Sequence, residues 1–150
     1  MNTWYADRRM RSMILRYVLW LTGLNLAWEV SQLPLYTIWE EARASYIAFA
    51  VLHCTAGDLL IGILALGLAL VVTRARPPDR YNWPAVAALL TIVGVGYTAF
   101  SEWNNTVLRP AWAYSDLMPT IPLGTVAIGL SPLLQWLLLP PLALWLARPR

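Results

Sequence analysis

Three acidic residues and a glutamine fall at depths where a lipid bilayer would have to hold them. Twelve residues, Tyr17 to Trp28, separate Glu29 from Arg16. A helix rises only ~1.5 Å per residue, so they lie ~20 Å apart. A span must cross ~30 Å of hydrocarbon, and a helix entering at Arg16 carries Glu29 past the middle. The same measure puts Asp58 ~24 Å from Arg74, Gln135 ~20 Å from Arg148 and Glu102 ~27 Å from Pro84. Four segments thus bring a polar group to one outward-facing layer. An ionisable group at such depth is costly and is a functional-site candidate by default.

Two deep acids can share a proton, and a Glu29–Asp58 pair could then act as general acid and base. With His53 and nearby aromatics, that suits chemistry on a lipid or isoprenoid entering from the outer leaflet. Tryptophan faces could stabilise a cationic intermediate. The same groups suit a different class, binding of a cation or a protonatable solute. Glu29, Asp58, Glu102 and His53 have the donor chemistry of a hard divalent site, but no ligand spacing supports one, and no metal is expected. Nothing in the spacing assigns a catalytic role or a cofactor.

Helical periodicity groups these residues. Asn25, Glu29, Gln32 and Tyr36 form one stripe at i, i+4, i+7 and i+11. Cys54, Thr55, Asp58 and Gly62 share a face, as do Thr91, Thr98 and Glu102, and Ser131 with Gln135. His53 fits less well, because five positions from Asp58 it points ~140° away around the helix. Facing inward, the stripes would make a polar pocket open to the outside. Glu29 and Asp58 would form its acidic core, with Glu102, Gln32, His53, Gln135 and Trp28 as further ligand-binding candidates. Simpler readings exist for each. Asn25, Ser131 and Gln135 can merely bridge helices, Glu102 can be solvated at the headgroups with Arg109 as partner, and Glu29 with Asp58 can be a structural staple.

The elements that must position this layer follow from composition. Of 150 residues 59% are hydrophobic and only 13% charged, about half the charge of a soluble domain. The reading is a single integral membrane domain, 1–150, all-α, a polytopic four-helix bundle. Its spans are expected at about 13–34, 45–73, 84–102 and 126–147. Trp83-Pro84 opens the third, since proline is tolerated in a first helical turn. Pro140-Pro141 should bend the fourth locally. The basic residues are all arginine and sit mostly at the expected helix ends, a pattern that sets topology, so no nucleic-acid partner is expected. Arg8, Arg9, Arg11 and Arg16 precede the apolar stretch of the first span, Arg74, Arg76 and Arg80 follow the second span, and Arg148 and Arg150 follow the fourth. The positive-inside rule then places both termini in the cytoplasm. Trp4, Tyr5, Tyr17, Trp20, Tyr81 and Trp83 on one side, and Tyr36, Trp39, Trp103 and Trp112 on the other, mark the interfaces. No small-residue cleavage pattern follows the first apolar stretch, which is read as retained. One cysteine and one histidine exclude an internal disulfide, a dithiol mechanism and tandem metal motifs.

The connection Asn104–Thr125 is long, and its aromatics, among them Tyr114, argue for an ordered loop. Its Trp112–Pro119 stretch is the candidate lid. His53-Cys-Thr-Ala-Gly-Asp58 matches the H-x4-D pattern of glycerolipid acyltransferases, but lacks their companion block and faces away from cytoplasmic acyl donors. Thiol oxidoreductases need paired cysteines, small multidrug exporters have shorter loops, and the translocator-protein family has five spans. Ser101-Glu-Trp-Asn-Asn105, Trp112-Ala-Tyr-Ser115 with Met118-Pro119, and Gly129-Leu-Ser-Pro-Leu-Leu-Gln-Trp136 resemble a group of uncharacterised bacterial inner-membrane proteins. That resemblance implies a bacterial inner-membrane location and no activity. The expected function is binding of a small or amphipathic ligand, with a lipid-directed enzyme or a structural subunit of a larger complex as alternatives. Expected partners are the bilayer, a lipid or small-molecule ligand, and either a second copy or a larger complex. A pocket opening to lipid would favour the enzyme, a water-filled vestibule binding or transport, and no cavity the subunit.

Overall fold

The computed structural model describes residues 3–73 and 81–148, with side chains from residue 8 onward. Arg74, Arg76, Arg80 and Arg150 of the topology argument, and the side chains of Trp4 and Tyr5, lie outside the described residues. The chain is mostly helical. Helix α1 runs Thr3–Gln32, a 3-10 turn Leu33–Leu35 follows, and a short α2 covers Ile38–Glu41. Then come α3 (Ala44–Val72), α4 (Trp83–Trp103), a π-helical turn Asn104–Leu108, strands β1 (Thr120–Leu123) and β2 (Val126–Gly129), and α5 (Leu130–Ala147). Among the described residues, three helical segments are long and apolar enough to cross a membrane: Ala44–Val72, Trp83–Leu108 and Leu130–Ala147. Helix α1 has the length, thirty residues, but Arg16, Asn25 and Glu29 interrupt its apolar stretch.

The long helices form a ring in which α1 packs on α3 and α5, and α4 packs on the same two. Their outward faces are apolar: Leu19, Leu64, Val71 and Ile92 are all more than 60% exposed. Helices apolar on the outside as well as the inside belong in a non-aqueous surrounding. The core fills one end of the bundle, where α1 and α4 begin and α3 and α5 finish. There Met13, Tyr17 and Leu21 meet Ala65, Leu66, Ala69, Val86, Leu90, Ala143 and Ala147. Small residues let the backbones close up. A Cβ at Gly62 would strike Leu21, and the Tyr17 hydroxyl donates to the Gly62 carbonyl at 3.3 Å. At Gly94 a Cβ would strike the indole of Trp136.

Several expected boundaries move. The first helix starts about ten residues before Met13 and stops at Gln32, where Pro34 enters a 3-10 turn. The second and third spans agree within a residue or two at both ends, but the third continues as the π-turn to Leu108. Asn82 caps α4, its side chain accepting from the Ala85 amide at 3.2 Å, and Pro84 occupies the first turn. The fourth span does not begin at Val126. Residues 120–129 form a β-hairpin, so the chain is not all-α. Gly124, at φ 65°, opens the two-residue turn, as such hairpins require. The β-branched Ile121, Val126 and Ile128 suit its strands. This apolar run carries no charge, which is why it reads as the start of a span. Helix α5 then runs through Pro140-Pro141 without ending.

Candidate functional site

Opposite the packed core, the polar stripes meet. From α1, Asn25, Glu29 and Gln32 are all buried and face inward. Gln135 of α5 joins three helices through its side-chain amide. Its Nε2 donates to Asn25 Oδ1 at 2.8 Å, to Glu29 Oε1 at 3.1 Å, and to Asp58 Oδ2 of α3 at 2.8 Å. Two N–H bonds shared among three acceptors leave the nitrogen fully committed. Gln32 Nε2 also donates to Glu29 Oε1, at 3.0 Å. Ser131 Oγ donates to Gln32 Oε1 at 2.8 Å and accepts from Trp28 Nε1 at 3.2 Å. The Glu29 and Asp58 carboxyl groups lie within hydrogen-bonding reach of each other, and the Trp136 indole reaches Asp58.

Glu102 completes the layer from α4. It is 5% exposed, not solvated at the headgroups as one expectation had it. Because the helix continues as the π-turn, Glu102 is not at its end, and the following loop folds over it. Its partner is not Arg109, which is exposed, but Tyr114, whose hydroxyl donates to Glu102 Oε2 at 2.5 Å. Burial, and then the Glu102 carboxylate, push the Tyr114 phenol above its ordinary range, so it stays a donor. The same oxygen accepts the Gly129 amide at 3.0 Å, tying loop, hairpin and α4 together.

The loop is stitched to the turn after α1. The Thr37 amide donates to the Ala113 carbonyl at 3.1 Å, and the Ser115 amide to Leu35 at 2.9 Å. Ser115 Oγ donates to the Pro34 carbonyl at 2.8 Å, and the Tyr36 and Tyr114 rings meet at 5.7 Å. Trp112 is held inside it. Its indole N–H is buried near Glu102, yet makes no hydrogen bond of ordinary geometry.

Between these groups lies a cavity of about 360 Å³, within the ~300–1,000 Å³ of small-molecule sites. Glu29, Asp58, Glu102, Gln32 and Gln135 supply its polar wall, and Trp112 and Trp136 line it from the loop and α5. Tyr46, His53 and Tyr97 line it as well, and all three are exposed on the outer surface of α3 or α4. The cavity therefore opens sideways between those two helices. His53 sits at this rim and stacks on Phe49, ring centres 5.5 Å apart. Its position off the Asp58 face is as the helical angle implies.

The structure thus brings together Glu29, Asp58, Glu102, Gln32 and Gln135, and leaves His53 at the rim. Trp28 and Tyr114 do not line this cavity. Tyr114 is one bond behind it, through Glu102, and Trp28 is two, through Ser131 and Gln32. Thr55, buried on the same helix as Asp58, does not line it either, and its hydroxyl lacks a partner. Sequence reasoning placed Tyr36 in the inward stripe with Glu29 and Trp112 in the lid, but missed the rest of the aromatic lining, because Tyr46, Tyr97 and Trp136 carried no polar pattern. One signal existed for Trp136: Gly94 on α4 makes room for its ring. Among the described residues no three histidine, cysteine, aspartate or glutamate side chains converge as metal ligands would. Compared with protein-family models, with curated proteins and with solved structures, the chain matches none.

Proposed function

We propose that this chain is a four-span bundle of a bacterial inner membrane that holds a small or amphipathic ligand in a pocket in its outer half. Helix α1 supplies the fourth span. Its Met13, Tyr17 and Leu21 are fully buried in the bundle while Leu15 and Leu19 face out. Thirty residues reach ~45 Å, enough to cross the hydrocarbon with Arg8, Arg9 and Arg11 beyond it. Both termini lie in the cytoplasm on this reading, because Arg8, Arg9, Arg11, Arg16 and Arg148 lie toward the core end of the bundle and only Arg43 and Arg109 toward the other, among the described residues. The resemblance to bacterial inner-membrane proteins supports the location.

One observation carries the ligand: carboxyl groups from α1, α3 and α4 line a single cavity together with Gln135 of α5. A structural staple would not need that space. Native mass spectrometry of the purified protein, wild type beside Glu29→Gln/Asp58→Asn, tests it. A retained lipid or small molecule that is lost in a folded double mutant is the expected result. A bare mass for both proteins, with unchanged helicity, overturns the reading. The Glu29–Asp58 contact favours a second reading, an enzyme using a shared proton in acid–base chemistry on a lipid. On that reading the double mutant keeps the ligand and accumulates it unreacted.

A further inference from the structure

Resting on the pocket reading, we infer that the occupant is an amphiphile with an organic ammonium head, seated among Glu29, Asp58 and Glu102, whose tail leaves between α3 and α4. Charge comes first. Three carboxyl groups line the cavity, and no guanidinium among the described residues does. A phosphate or carboxylate head would meet three carboxyl groups there, with no guanidinium to pair it. An atomic cation fits no better, since Glu29 and Asp58 meet but, among the described residues, no third acidic group converges on them. A substituted ammonium is bulky and carries its charge over several carbons, which suits spread partners.

The aromatic lining is an independent indication. Tyr36, Tyr46, Tyr97, Trp112 and Trp136 all border the cavity. Aromatic faces attract ammonium groups, most strongly where water is excluded. Carboxylates alone would suit any cation, and aromatics alone any apolar ligand; together they select an organic cation. The sideways opening supplies the tail's route. Tyr46 and Tyr97 are each about half exposed, at 52% and 48%, on the bundle's outer surface, where lipid chains would lie.

A chain-matched series separates this proposal from the pocket itself. Decyltrimethylammonium, decanol and decanoate would be titrated into the protein in maltoside micelles, with bound adducts counted by native mass spectrometry. The expected result is one saturable decyltrimethylammonium per chain, with decanol and decanoate at least ~10-fold weaker. Glu102→Gln should weaken the cation ~10-fold, in the manner of a lost charge partner in a desolvated site. Tyr97→Ala should weaken it ~3-fold or more. The Tyr97 ring makes no hydrogen bond in the polar network, so that variant keeps the test sound if Glu102→Gln fails to fold. Equal binding of all three compounds overturns the cationic head while leaving the pocket reading intact, as does a preference for decanoate. No binding of any compound, together with a bare wild-type mass, overturns both.

Discussion

Gln135→Leu is the substitution whose cost follows most directly from the geometry. Leucine nearly matches glutamine in volume, so packing is kept and only the amide is lost. The Nε2 nitrogen reaches Asn25, Glu29 and Asp58 at 2.8, 3.1 and 2.8 Å, but its two N–H bonds can serve only two acceptors fully. The amide oxygen adds little, since Gln32 Nε2 is 3.5 Å away. Hydrogen bonds between membrane helices are worth ~0.6 kcal/mol on average and up to ~1.7. Two of them give an expected loss of about 1–3 kcal/mol. The loss should fall mainly on Asn25 and Asp58, because Glu29 keeps Gln32 as a donor. Reversible unfolding in mixed micelles, titrated with dodecyl sulfate and followed by helix circular dichroism, measures it. A double-mutant cycle with Asn25→Leu isolates the pair, with an expected coupling of ~0.5–1.7 kcal/mol. Gln135→Leu costing under ~0.5 kcal/mol, or singles that add to within that margin, would mean that Gln135 does not tie α1 to α5.

Three further outcomes follow. Tyr114→Phe strips Glu102 of its donor and the Gly129 amide of its acceptor, at a cost of ~1–3 kcal/mol. Hydrogen exchange at Gly129 should then run roughly 5- to 150-fold faster, whereas an unchanged rate removes Tyr114 as the tie. Gly94→Ala must push Trp136, 2% exposed, and separate α4 from α5, costing ~1–3 kcal/mol. Gly67→Ala, with nothing within 4 Å, should be neutral or stabilising by up to ~1 kcal/mol; equal thermal melts for the two variants refute the contrast. In a Cys54→Ser background, Leu123→Cys on the exposed hairpin should react with an impermeant maleimide added outside intact cells. Reaction only after permeabilisation would invert the topology.

What could be read from the sequence was depth and face. Helical rise along separate segments places Glu29, Asp58, Glu102 and Gln135 in one layer, and the structure gathers all four around one cavity. The i, i+4, i+7 stripe of α1 is buried as its spacing implies. What could not be read depends on contacts distant in sequence. The partner of Glu102 is Tyr114, twelve residues on, because a π-turn redirects the chain; proximity alone suggested Arg109. The hairpin was hidden because apolar β-branched residues satisfy a strand and a span equally well over so short a run. The aromatic wall has no single periodicity to detect, since it is assembled from three helices, a turn and a loop.

Whether the polar layer is a staple or a site turns on how its members differ. Gln32, Asn25, Ser131 and Gln135 are absorbed by one another, and their bonds hold α1 against α5. Such side-chain bonds need no further explanation in a membrane bundle. Glu102 is different. It lies on α4, is bonded by Tyr114 of its own loop and by none of the four, and so adds nothing to the seam between α1 and α5. Replacing a carboxyl group by the neutral glutamine would serve a loop tie nearly as well and at lower desolvation cost. A carboxyl buried to 5% exposure, facing a cavity shared with two more, is a poor choice for cohesion and a good one for a cationic guest. Glu102→Gln therefore discriminates more sharply than any change at Glu29 or Asp58: it should leave stability within ~1 kcal/mol, because the Tyr114 bond survives in neutral form, while removing a charge the guest would meet.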